Sequence, residues 1–250
     1  MKSFDLKYKP FGASAILIEW PAKIDSQIIQ DITSFEKLVV QQQQVVETII
    51  AYHSLTICCD FRSAVTSVKE PSVNFEIEIQ KLKKLYKRNR VNYARTQQRV
   101  WQIPVCYDLK FGIDLKEIAQ IKKISTTALV NLHSEARYLI YFIGFQPGFL
   151  YLGGLHPRIH MPRRSNPRLY VEKGSVAIGG AQTGVYPQGS PGGWNIIGKS
   201  PIDFFDILKS KPCFAKAGDF IRFVPVELEI FHEISREIKQ GQYQVKFDWK

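Results

Sequence analysis

Three arginines, Arg163, Arg164 and Arg168, share six positions in "PRRSNPR". They close a longer stretch, "GFQPGFLYLGGLHPRIHMPRRSNPR" (144–168), that is dense in glycine, proline and aromatic side chains. Proline lacks the amide donor and clashes with the preceding turn, so no long helix runs here. The aromatic and aliphatic content is too high for a disordered segment. The reading is an ordered, rigid loop bearing guanidinium groups, which pair bidentately with a carboxylate or phosphate. Two later stretches have matching chemistry. "IGGAQTGVYP" holds Gly179, Gly180, Gln182 and Tyr186, and "SPGGWNIIG" holds Gly192, Gly193 and Trp194. Glycine lets backbone amides approach a ligand closely, and successive amides can form an anion-binding nest. Trp194, Tyr186 and Phe149, which follows Pro147 and Gly148, are suited to wall a small apolar pocket. The same residues also fit tight barrel turns with solvated arginines, and glycine patterns alone do not decide between the two. The dinucleotide motif does not match, since "GGAQTG" is not GxGxxG.

His133 is the candidate general base, because imidazole titrates near neutral pH. A lone histidine also serves as a structural residue. His156 and His160 flank the arginines without a carboxylate at metal-ligand spacing, so no metal site is expected. Cys106 in "PVCY" sits mid-strand, as a buried thiol would. No GxSxG elbow supports a hydrolase triad. Adjacent Cys58 and Cys59 would point to opposite faces of a strand and cannot readily pair. Reduced, buried thiols of a cytoplasmic protein are expected.

Two groups of elements must position these residues. In the first group, "ASAILIEW" (13–20) reads as a strand. Residues 25–43 carry apolar side chains at helical spacing behind a plausible N-cap, Asp25. "VVETIIAY" and "SLTICCDF" read as a hairpin turning near His53 and Ser54. Pro71 and Ser72 open a second helix. That order suggests a small α+β sandwich with helices on one face of a sheet. From Val100 the texture changes. "RVWQIPVCY" is a strand, and two short helices follow, the second capped by Ser125. After "YLIYFIGF", short apolar strands alternate with Gly/Pro clusters until a helix near the C-terminus. This pattern argues for a β-barrel or sandwich. The fold class expected is an α+β N-terminal domain, residues 1–95, followed by a mainly β domain, residues 96–250.

The chain has 250 residues and a formal net charge of +11, which permits attraction to nucleic acid or an anionic membrane. Six of the 34 basic residues, however, lie in "KLKKLYKRNR" (81–90). Phe75, Ile79, Leu82 and Tyr86 fall at helical spacing around that run, so it reads as the solvated face of an amphipathic helix. No nucleic-acid fold signature accompanies it. No apolar run reaches the length of a membrane span, and no signal peptide is evident.

The motifs "PVCY…FGIDLKEIA", "FIGFQPGFLYLGGL", "PRRSNPR" and "GSVAIGGAQTGVYPQGSPGGWNIIGKSP" together resemble the KipI/PxpB family, also called allophanate hydrolase subunit 1-like. The N-terminal pieces "FGASAILIEW" and "AYHSLTICCD" extend the resemblance over nearly the whole chain. The resemblance implies a cyclophilin-like barrel for the second domain. It implies the B component of an ATP-dependent 5-oxoprolinase, which converts 5-oxoproline, ATP and water to glutamate, ADP and phosphate. The implied partners are a KipA-like C component and a LamB/YcsF-type A component. On that reading Arg163, Arg164 and Arg168 contact the anion and Gln182 orients the lactam amide. The alternative that the resemblance offers is a KipI-type inhibitor that binds a sensor histidine kinase. One departure stands out: "PVCYDLKFGIDL" replaces the usual "PVCYGGEFGPDL" and removes glycines ahead of Asp114.

Overall fold

The computed structural model describes residues 4–60, 75–89 and 97–250, and its chain forms two compact units, 1–96 and 97–250. Both mix helices with sheets. The first unit has a four-stranded antiparallel sheet in the order β1-β2-β4-β3, from β1 (Lys7–Phe11), β2 (Ala15–Glu19), β3 (Val45–Ile50) and β4 (Ser54–Cys59). Helix α1 (Ser26–Val39) begins where expected: Asp25 accepts a 2.7 Å hydrogen bond from the Gln27 amide. It ends four residues before the predicted Gln43. Ile28, Ile29, Ile32, Phe35 and Val39 form its buried stripe. Fully burying each such side chain contributes about 1.5–3 kcal/mol. Helix α2 (Phe75–Asn89) buries Ile79, Leu82 and Tyr86 and turns its lysines outward. Its expected start at Pro71 and Ser72 lies outside the described residues. Strand β1 was not expected. It is an edge strand of mostly exposed residues, "KYKPF", with no apolar face to read.

The second unit holds an eight-stranded sheet. Its strands are β5 (Arg99–Val105), β6 (Tyr138–Ile143), β7 (Leu150–Gly153), β9 (Ser175–Gly179), β10 (Gln182–Val185), β12 (Asn195–Lys199), β13 (Phe220–Pro225) and β14 (Phe247–Trp249). The order is β12-β9-β10-β7-β6-β13-β5-β14, and only the β13–β5 pair is parallel. Just past β5, Cys106 and Lys199 exchange two backbone hydrogen bonds, both 2.9 Å. The end of β5 therefore meets the end of β12, and the sheet curls round a core that includes Ile103, Tyr138, Ile178, Ile221 and Phe223. Strands β8 (Arg168–Val171) and β11 (Ser190–Gly192) form a separate two-stranded ribbon. Helices α3 (Leu115–Lys122) and α4 (Thr126–Ser134) follow β5, and α5 (Leu228–Lys239) follows β13. Ser125 caps α4 by accepting from the Ala128 amide at 3.0 Å. No helix among the described residues is long and apolar enough to cross a membrane. All four cysteines are free, with Cys59 buried and Cys58 half-buried on the other strand face.

Candidate functional site

A cavity of about 190 Å³ opens in the second unit between the arginine loop and the glycine-rich strands, lined by Phe149, Tyr151, Arg163, Tyr186, Gly193 and Trp194 among others. Its walls are aromatic. The Phe149 ring meets Tyr151, Tyr186 and Trp194 edge-on at centroid distances of 5.0, 5.8 and 5.6 Å, the arrangement that ring quadrupoles favour. Glycine makes this packing possible. A Cβ on Gly179 would lie 2.5 Å from the Trp194 indole, and one on Gly192 would collide with the Tyr186 hydroxyl. The Trp194 indole therefore lies against bare β9 backbone. Burial pushes the Tyr186 phenol pKa up, while the Trp194 amide and the charges of Arg163 and Arg168 pull it back.

The arginine loop is fastened at several points. Met161 and Gly180 exchange backbone hydrogen bonds at 3.1 and 2.6 Å. The buried Asn195 amide donates to Pro162 O at 2.8 Å and to Ile178 O at 3.2 Å. The Arg164 amide donates to Gly193 O at 2.7 Å. Below the loop sits Asp114, a buried carboxylate. Its Oδ1 accepts from Arg164 at 3.1 Å and from Arg168 at 2.6 Å, and its Oδ2 accepts from the Ile196 amide at 2.7 Å. Arg164 also reaches Glu117 at 3.1 Å. Asp114 stands at the N-terminus of α3 but makes no side-chain cap, because both its oxygens serve the clamp.

The three predicted arginines thus have different surroundings. Arg163 is exposed, lines the cavity, and stacks its guanidinium over the Trp194 ring 5.8 Å from the centroid. Arg164 lines the cavity too, but its guanidinium is spent on carboxylates. Arg168 is turned toward Asp114, while its Nη1 is buried without a hydrogen-bond partner. The structure brings Phe149, Tyr186, Gly192, Gly193 and Trp194 to the cavity wall, and Gly179 lies directly behind Trp194. Pro147 and Gly148 belong to the turn that feeds Phe149 into β7. Gly148 has φ +83° there, with no room for a Cβ beside Phe204 and Phe205. Gly180 pairs with Met161, and half-buried Gln182 pairs with Gly179 at the start of β10. Neither Gly180 nor Gln182 lines the cavity.

His133 lies elsewhere. It is fully buried in the last turn of α4 and stacks on Phe223 at 4.6 Å. Its Nδ1 is 2.7 Å from the Tyr107 hydroxyl, and its Nε2 is 2.8 Å from Thr183 Oγ1. Thr183 donates to Ala177 O, so it accepts from Nε2–H, and Nδ1 accepts from Tyr107. A neutral imidazole satisfies every member of this chain. Burial drives the His133 pKa down to about 3. An imidazole sealed in the core has no route to a ligand in the cavity, and this geometry departs from the expected base. His156 and His160 bond locally, to the Arg158 amide and Leu155 O. Asp114 and Asn195 carry the loop's geometry and were not predicted as site residues. The only sequence hint was the acidic position in "FGIDL".

The family profile described as carboxyltransferase domain, subdomain C and D, matches residues 6–215. The B component of 5-oxoprolinase from Haemophilus influenzae is 36% identical over 221 residues, covering 88% of this chain and 98% of that protein. Its counterpart from Bacillus subtilis is 35% identical over 235 residues, covering 90% and 95%. Among solved structures, three crystal forms of one longer protein match at TM-scores of 0.69 to 0.71 and 28–29% identity, and this chain spans only 39–40% of that one. A Kluyveromyces lactis urea amidolyase matches over 99% of this chain and 16% of its own, with TM-score 0.76. At 19% identity that likeness shows a shared fold alone.

Proposed function

Since the chain belongs to the carboxyltransferase subdomain C and D family, and within it to the PxpB/KipI type, we propose that it is the B component of an ATP-dependent 5-oxoprolinase. The reaction would take 5-oxoproline, ATP and water to glutamate, ADP and phosphate. The observation that carries this reading is the aromatic-walled cavity with one guanidinium, that of Arg163, free at its edge. A five-membered lactam presents two apolar ring faces and one carboxylate. Phe149 and Trp194 suit the ring, and Arg163 suits the carboxylate. The curled sheet, joined through Cys106 and Lys199, supports a cyclophilin-like barrel for residues 96–250 after an N-terminal domain of residues 1–95.

This cavity does not fit ATP. The cavity holds about 190 Å³, below the roughly 300–1,000 Å³ of pockets for larger ligands. We therefore assign ATP to the complex and derive no step through it on this chain. Opening a stable lactam becomes easier when its oxygen is phosphorylated, because the carbonyl carbon is then more electrophilic. This chain's share is to hold and orient the ring. The other parts would come from a KipA-like partner and a LamB/YcsF-type partner. Cytoplasmic location follows from that assembly and its nucleotide.

The test is to mix the three purified proteins. One larger species by light scattering, with ATP-dependent glutamate formation that the isolated chain lacks, is the expected result. Turnover by this chain alone, or no association, would overturn the reading.

A further inference from the structure

We propose that Asp114 determines the charge class of the ligand: by neutralising the arginine clamp it leaves the cavity suited to a small monoanion and not to a dianion. This inference rests on the reading of the cavity as the ligand site. Three arginines, which stay ionised, gather at positions 163, 164 and 168. Two carboxylates, Asp114 and Glu117, face Arg164 and Arg168. Among the described residues none pairs with Arg163. Three positive charges against two negative ones leave a single net positive charge at this wall.

The two carboxylates are not equivalent. Asp114 is 3% exposed, whereas the Glu117 side chain is 52% exposed, and water screens the latter. Asp114 therefore carries the effect. Both its oxygens are committed to protein donors, so it acts on the ligand through Arg164 and Arg168 and never by contact. These two arginines are close enough to matter. Arg164 lines the cavity, and the charge of Arg168 is felt by the cavity-lining Tyr186. Arg168 also keeps one buried, unpaired guanidinium nitrogen. A second negative charge on a ligand meets no second uncompensated cation while Asp114 is present. When Asp114 becomes neutral, it meets two.

The test is calorimetric titration of the full-length chain at pH 7.5 with three probes: 5-oxoproline, furan-2-carboxylate and furan-2,5-dicarboxylate. The wild-type chain should bind the monoanions in preference to the dicarboxylate. Asp114→Asn should shift the ratio of the two furan affinities toward the dianion by about tenfold, and Glu117→Gln should shift it less. If Asp114→Asn does not fold, Arg164→Gln makes the opposite move and should shift the ratio further toward the monoanion. A ratio within twofold of wild type in the folded Asp114→Asn variant, or in Arg164→Gln where it takes that variant's place, overturns the inference. So does a wild-type chain that prefers the dianion or binds none of the probes. Furan-2-carboxylate bound with the expected preference, but no 5-oxoproline, would keep this inference and remove the proposed function.

Discussion

Arg168 and Asp114 are joined by a 2.6 Å hydrogen bond across 54 residues of sequence, and the same Asp114 oxygen receives Arg164 at 3.1 Å. This one buried carboxylate fixes the loop from which Arg163 reaches the cavity. It divides three arginines that look alike in "PRRSNPR" into two that hold the loop and one that remains available.

That division predicts opposite phenotypes for neighbouring arginines. Arg163 is exposed and makes no ion pair among the described residues, so Arg163→Ala should leave the melting temperature nearly unchanged. It should weaken 5-oxoproline binding by about 1.5–3 kcal/mol, the loss expected for a charge-assisted contact. Arg168→Ala removes a partner of a buried carboxylate and should cost about 2–3 kcal/mol of stability. Denaturant unfolding and ligand titration of the two variants check this. Equal effects of both on both measurements would contradict the division.

His133 makes a prediction about pH. Its folded pKa is depressed to about 3 by burial, against about 6.5 in an unfolded chain. Below pH 6.5 the unfolded chain therefore binds the proton that the folded chain refuses. Stability from this group is complete above pH 6.5 and falls as pH drops toward 3, by a few kcal/mol in all. His133→Asn should be less stable than wild type at pH 7.5, and the gap should narrow by pH 4. The pH profile of turnover by the assembled enzyme should keep its shape, whereas loss of a limb would restore the imidazole as a base.

Glycine behind the indole can be tested by filling it. Gly179→Ala places a methyl 2.5 Å from the Trp194 ring, so the indole must move toward the cavity. Overpacking of this kind costs about 1–3 kcal/mol. Ligand affinity should fall together with Trp fluorescence changes that report a displaced ring. Unchanged affinity and emission would show that Trp194 does not wall the ligand.

Much of this was legible in the sequence, and the limits have physical causes. The helices at 26–39 and 75–89 announced themselves because their buried side chains recur at helical spacing, with Asp25 as a cap. The cavity's aromatics and glycines were legible as a set because they sit in three short, unusual motifs. Strands β1 and β14 were missed: both lie at sheet edges, and "KYKPF" and "FDW" bury no face. The fates of Arg164 and Arg168 were hidden because their partners, Asp114 and Glu117, are 47 or more residues away, and no local pattern encodes such a pairing. His133 misled for a related reason. Its residue type permits proton transfer, but Tyr107, Thr183 and Phe223 decide that it stays neutral, and only tertiary packing brings them together.

The central claim is that this chain holds 5-oxoproline through Arg163 within a multi-protein 5-oxoprolinase. ATP-dependent glutamate release by the reconstituted complex, measured with wild-type and Arg163→Ala forms of this chain, tests it most directly. The account predicts turnover with the wild-type chain and a drop of ~tenfold or more with Arg163→Ala, although the variant still assembles. Wild-type turnover from the Arg163→Ala complex, or no turnover from the wild-type complex, would contradict it.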